Sequence, residues 1–142
     1  MSRLNDWAVQ IEDDIFTILK TRANSNLVTT YSGINFTRSS RLPVSETHFP
    51  TIVIEFIGNS EMGSTLDGQS VNAIDLTIEV RVIVKKNDMA ILRECISEMA
   101  DQIKKLRFYI SSTTRIDNET DDTIHAVIRA NRVIGANDNI LL

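Results

Sequence analysis

Residues 73–86, AIDLTIEVRVIVKK, alternate between apolar and polar positions along almost their whole length. Ile74, Leu76, Ile78, Val80, Val82 and Val84 fall on one side; Ala73, Asp75, Thr77, Glu79, Arg81 and Ile83 fall on the other. A period of two is the mark of a strand with one buried face. At ~3.3 Å per residue such a strand spans roughly 46 Å, against a body some ~35–40 Å across for a compact chain of this size. The pattern therefore predicts a strand longer than its own domain.

Two other segments have a helical period. In the first, residues 2–22, Leu4, Trp7, Ala8, Ile11, Ile15, Ile18 and Leu19 recur at spacings of three and four, with Ser2 as N-cap and an end near the turn-favouring ANSN at 23–26. In the second, residues 87–107, Met89, Leu92, Ile96, Met99, Ile103 and Leu106 form the stripe. Asn87 or Asp88 is placed to cap its start, and Lys104, Lys105 and Arg107 suit the negative end of its dipole.

The remaining segments complete a sheet. FPTIVIEFIG carries a β-branched run at 52–57, with Pro50 at its start, where a missing N–H costs least. GINF at 33–36 reads as a short strand, RFYIS at 107–111 as another, and DNETDD at 117–122 as an acidic turn. TIHAVIRANRVI then gives a last strand with Ile124, Ala126, Ile128 and Ala130 on one face. Residues 58–70 hold three of the five glycines and read as a flexible loop; residues 135–142 read as a polar tail. The expected fold is a single α+β domain over 1–142: a mainly antiparallel sheet, both helices packed on one face, and a long projecting β-hairpin made from 52–57 and 73–86.

Composition narrows the class. A chain of 142 residues with 42% hydrophobic and 24% charged residues is ordinary for a globular domain. No apolar run approaches the ~18 residues of a membrane span, and the charged N-terminal segment MSRLNDWAVQIEDD does not read as a signal peptide. One cysteine, Cys95, excludes an intramolecular disulfide framework. With 15 basic and 19 acidic residues the net charge is −4, which argues against sequence-independent binding to a nucleic acid backbone.

The residues that carry chemistry do not assemble into a catalytic set. His48 and His125 are the only histidines, and neither belongs to a spaced ligand motif. Cys95 sits beside the apolar stripe of the second helix, as a structural thiol does. The glycine-rich loop lacks the Lys-Ser/Thr ending of a phosphate cradle and carries Glu61 and Asp67 instead. Asp117, Glu119, Asp121 and Asp122 lack the glycine and distal glutamate of an EF-hand loop. Asp75 and Glu79 share a strand face but lie ~13 Å apart, too far for a glycosidase pair. The expectation is a protein that is not an enzyme, with no cofactor and no metal.

A hairpin that outruns its domain presents edges and a polar face to another chain. Glu61, Met62, Leu66, Asp67, Asp75, Glu79 and Arg81 are accordingly the candidate subunit or partner contacts. The order of elements is an amphipathic helix, an extended linker into FPTIVIEF, a glycine-rich loop, AIDLTIEVRVIVKK, the helix DMAILRECISEMADQIKKL and the strand TIHAVIRANRVI. That order resembles the tail terminator (tail completion) proteins of long-tailed bacteriophages, over nearly the whole chain and in architecture and size, without a signature motif. The resemblance implies a structural virion protein at the head-proximal end of the tail, assembled in the host cytoplasm. It implies a homo-oligomeric ring, commonly a hexamer, that caps the tail tube, stops its elongation and offers a surface for head–tail joining. Its partners would be itself, the tail tube protein and head–tail connector proteins, with genomic DNA passing through without specific binding and no membrane involved. Another connector component, a stopper or adaptor, fits the same residues. A cytosolic ligand-binding α+β module is the alternative from a different class, with a pocket between helices and sheet and the glycine-rich loop as its lid.

Overall fold

A computed structural model of the chain describes residues 6–27, 34–38, 50–61, 73–113, 117–120 and 123–135. The elements, in order, are α1 (Asp6–Leu27), β1 (Asn35–Thr37), β2 (Thr51–Glu61), β3 (Ala73–Lys85), α2 (Met89–Lys105), β4 (Tyr109–Thr113), β5 (Asp117–Thr120) and β6 (Thr123–Gly135). The strands form one mixed sheet in the order β1-β2-β3-β6-β4, with β5 continuing along the same edge of β6 as β4. Among the described strands only the β1–β2 pairing is parallel.

The long strand is central. All 13 residues of β3 face residues of β6, from Ala73 opposite Gly135 to Lys85 opposite Thr123. On its other side β2 pairs with it from Thr51 opposite Ile83 to Glu61 opposite Ile74. The described part of the β2–β3 hairpin thus stays within the sheet, because β6 is as long as β3. The connecting residues 62–72 lie outside the described residues. So do Ser2, His48, Asp121 and Asp122, and the tail after Gly135.

Alternation in β3 gives the sheet two unlike faces. Ile74, Leu76, Ile78, Val80, Val82 and Val84 are all buried and join one apolar cluster with Ile15, Leu19, Ala23 and Leu27 of α1 and Leu92, Cys95, Met99 and Ile103 of α2. Both helices therefore share one face, as the pattern predicts. Full burial of each such side chain is worth about 1.5–3 kcal/mol, so the stripe supplies much of the force that closes the domain.

Several boundaries differ from the sequence reading. The first helix passes through the asparagines to Leu27, since Ala23 and Leu27 continue the row of Ile15 and Leu19 and are buried. Asn26 also donates from Nδ2 to Glu98 Oε1 at 2.6 Å, tying α1 to α2. Tertiary packing outweighs turn propensity there. Residues 58–61, expected in a loop, extend β2, and the acidic run 117–120 is strand β5. Both follow from pairing with a longer neighbour, which a local reading does not see. Asp88 occupies the N-cap of α2 but makes no side-chain cap bond.

Two devices fix the ends of the helical layer. Arg38, just after β1, pairs with Asp13 and Glu12 of α1 and lies over the rings of Phe16 and Phe56, 5.8 and 5.0 Å from their centroids. At the other end α2 closes in a Schellman turn, in which the Phe108 N–H donates to the Ile103 carbonyl and the Arg107 N–H to the Lys104 carbonyl. Arg132 of β6 donates from Nη1 to the Leu106 carbonyl at 2.6 Å, bringing positive charge to the helix C-terminus. Arg107 adopts φ 62° to make this turn, a conformation that favours glycine.

Two outcomes follow from these packing terms. Val80→Asp places an unpaired carboxylate in the centre of the cluster, and circular dichroism should show an unfolded chain. Arg107→Gly relieves the left-handed strain and should raise stability by up to about 1 kcal/mol in urea titration; a destabilised variant would show that the Arg107 side chain is itself needed.

A candidate interaction surface on the open face of the sheet

The face opposite the helices is organised in rows set by register. One row runs Tyr109, Asn131, Thr77, Gly58; the next Arg129, Glu79, Glu55; the next Val127, Arg81, Val53; and the next His125, Ile83, Thr51. The last two rows are largely closed. Thr51, Val53, Ile83 and Val127 are buried, as is Thr123 one row further on, although none belongs to the cluster under the helices. The first two rows are more open: Tyr109 is 73% exposed and Arg129 is exposed, the other five residues are half-buried, and Val133, in the row beyond, is 50% exposed.

Glu79 is the electrostatic centre of the open half. Its Oε2 accepts from Arg129 Nε at 3.0 Å across the β3–β6 pair, and its Oε1 accepts from Arg81 Nη2 at 3.3 Å. Directly across on β2 stands Glu55. Two carboxylates facing each other on neighbouring strands repel, and the two arginines offset that repulsion. Arg129 is half in water, so this pairing fixes geometry more than it adds stability. Two rows from Glu79, opposite Val133, Asp75 keeps a buried Oδ1 with no hydrogen-bond partner among the described residues. A buried acceptor left unmet is unfavourable unless something supplies a donor.

The strand β2 is kinked beside this patch. Its pairing with β3 shifts between Phe56 and Gly58, making Ile57 the extra residue of a bulge, and Ile57 is 45% exposed. Gly58 lies against Thr77, where an added Cβ would come within 3.4 Å of the Thr77 Cβ. Exposed Ile57, Val133 and Tyr109 and the Glu79 ion pairs thus give this face both apolar and charged groups, as protein contacts have.

Of the sequence-derived candidates, Asp75, Glu79 and Arg81 come together on this face. Glu61 ends β2, while Met62, Leu66 and Asp67 lie outside the described residues. Arg129, Tyr109, Ile57, Val133 and Glu55 were not singled out from sequence. The alternation of the last strand already puts Arg129 opposite its apolar face, but its pairing with Glu79, 50 positions away, needs the register.

Other candidate chemistry stays separate. His125 is half-buried on the same face, in the closed half, opposite Ile83. Among the described residues no group of three His, Cys, Asp or Glu side chains is placed to hold a metal, and no described helix is long and apolar enough to cross a membrane. A shallow polar groove of about 350 Å³ runs between α1 and α2, lined by Thr21, Arg22, Ser25, Asn26, Gln102 and Lys105. It lies between helices and not between helices and sheet. Cys95 is fully buried in the cluster, and burial, with Glu94 adding to it, pushes its thiol up to about 11.

No known family model matches this sequence, and no characterised protein matches it. What the fold defines is an α+β domain with one face of its sheet sealed by helices and the other half open.

The buried thiol makes a sign-specific outcome. The folded state retains the proton above the ordinary thiol range, so stability is complete below about pH 8.5 and falls as pH rises towards 11, by about 3 kcal/mol in all. Cys95→Ala should lack this slope when urea denaturation is followed from pH 8 to 10.5; the same slope in both proteins would locate its origin elsewhere.

Proposed function

We propose that this chain is a structural, non-catalytic virion subunit: a tail terminator that assembles into a ring, with six copies as the expected number, on the head-proximal end of a phage tail tube. The observation that carries the reading is the division of labour between the two faces of the sheet. The helix face carries the apolar cluster that closes the domain. The open half of the other face holds an ion-pair cluster and exposed apolar side chains that the fold does not use. Surface of that composition suits contact with other copies or with neighbouring rings.

The order of elements supports the same role. It is the order in which the chain resembles tail terminators, and the described ends of the central hairpin, Glu61 and Ala73, lie together at one end of the sheet. In this reading the hairpin tip projects as a contact arm, with Glu61, Met62, Leu66 and Asp67 meeting the tube or a connector ring. Asp75, Glu79 and Arg81 contribute to the contacts at its base. An acidic chain of net charge −4 suits a passage through which DNA moves without being held.

Shortening the arm separates assembly from folding. Deleting residues 63–68 should leave the melting temperature unchanged and weaken self-association or tube capping at least about tenfold in sedimentation velocity and tube-length assays, the loss of one or more contact residues. Unaltered assembly after the deletion would remove the arm from the account.

A further inference from the structure

The two outer edges of the sheet match each other. On one side β1 covers β2 only at residues 51–53, leaving 54–61 without a neighbouring strand among the described residues. On the other side β4 pairs inward with β6 and has no outward neighbour there. Open edges of this kind are templates for another strand.

The register places the two open edges at the same height. Gly58, Thr77, Asn131 and Tyr109 form one row; Phe56, Ile78, Ala130 and Ile110 the next; Glu55, Glu79, Arg129 and Ser112 the third; and Ile54, Val80, Ile128 and Thr113 the fourth. The free part of β2 is therefore level with β4. Direction agrees as well: β2, β3, β6 and β4 are successively antiparallel, so β4 of one copy runs antiparallel to β2 of a copy set beside it with its helices on the same side. With four strands between the edges, the rows whose backbone groups point outward from β2 are the rows whose groups point outward from β4.

We infer that copies of this chain join edge to edge, β4 of one against residues 54–58 of the next, in one sheet that continues from subunit to subunit. The inference rests on the ring reading and supplies its contact. Such a joint is head-to-tail, and because the rows meet at equal height it has no rise along the strands, the condition for closing a ring instead of building a filament. Two local features restrict the pairing to this partner. Each edge has a bulge at nearly the same level, at Ile57 on β2 and at Ser111 on β4. Bulges discourage indiscriminate edge pairing, and these two lie in adjacent intervals between rows. Tyr109, 73% exposed, falls opposite Gly58 of the next copy, where the missing side chain leaves its ring room to lie across the strand.

A paired cysteine substitution tests the register. Under mild oxidation, Glu55→Cys combined with Ser112→Cys should give a ladder of covalent species ending at the size of the ring, because each copy carries both halves of the joint. Either single variant, and the out-of-register pair Glu55→Cys with Tyr109→Cys, should remain without a ladder. Tyr109→Ala should weaken assembly at least about tenfold with an unchanged melting temperature. A closed ring by light scattering with no ladder would overturn the edge joint and leave the ring reading standing. A monomer at all concentrations with no ladder would overturn both, and an equal ladder from the out-of-register pair would overturn the register.

Discussion

The pairing of β3 with β6 along their whole length is the constraint on which the rest of this structure depends. It sets the height of the sheet, since β3 and β6 each have 13 residues and meet at every one. It assigns every side chain of both strands to a face, because a slip of one residue would exchange the faces of one strand against the other. The alternation of Ile74 to Val84 in β3 and of Ile124 to Ala130 in β6 makes the observed register the one that buries both apolar sets together. Loss of that register would strip the helices of their platform and dismantle the Glu79–Arg129 pair at once.

From this follows the separation between what folds the protein and what it offers to others. Apolar burial on the helix face involves α1, α2 and alternate positions of β2, β3 and β6, with Phe36 of β1 and Ile110 of β4 packed against them. Among the described residues no helix packs on the opposite face. Glu79 holds two arginines beside a facing carboxylate, while a buried oxygen of Asp75 lacks a donor among the described residues. An isolated domain gains little from such an arrangement. In the proposed role as a subunit, the ion pairs would fix orientation and the exposed apolar side chains would supply contact.

Much of the fold was legible in the sequence because its strongest elements carry their own period. The two helices and the strands β3 and β6 are read directly from spacing, and so is their layering. The failures share one physical cause. The extension of α1 through Asn24 and Asn26, the growth of β2 to Glu61 and the conversion of 117–120 into a strand are all imposed by neighbours distant in sequence. The same holds for the candidate surface: Asp75, Glu79 and Arg81 were visible as one polar face, whereas Arg129, Glu55 and Tyr109 join them only through pairing. The expectation that the long strand would outrun its domain came from its length alone, and β6, of equal length, is what keeps the described part inside the sheet.

The most direct test of the central claim, that this domain is built to close a ring of its own copies, is electron microscopy of the purified protein at high concentration. Closed rings of uniform size with a central opening are the predicted result. Particles that are single domains throughout, or filaments of indefinite length, would contradict it.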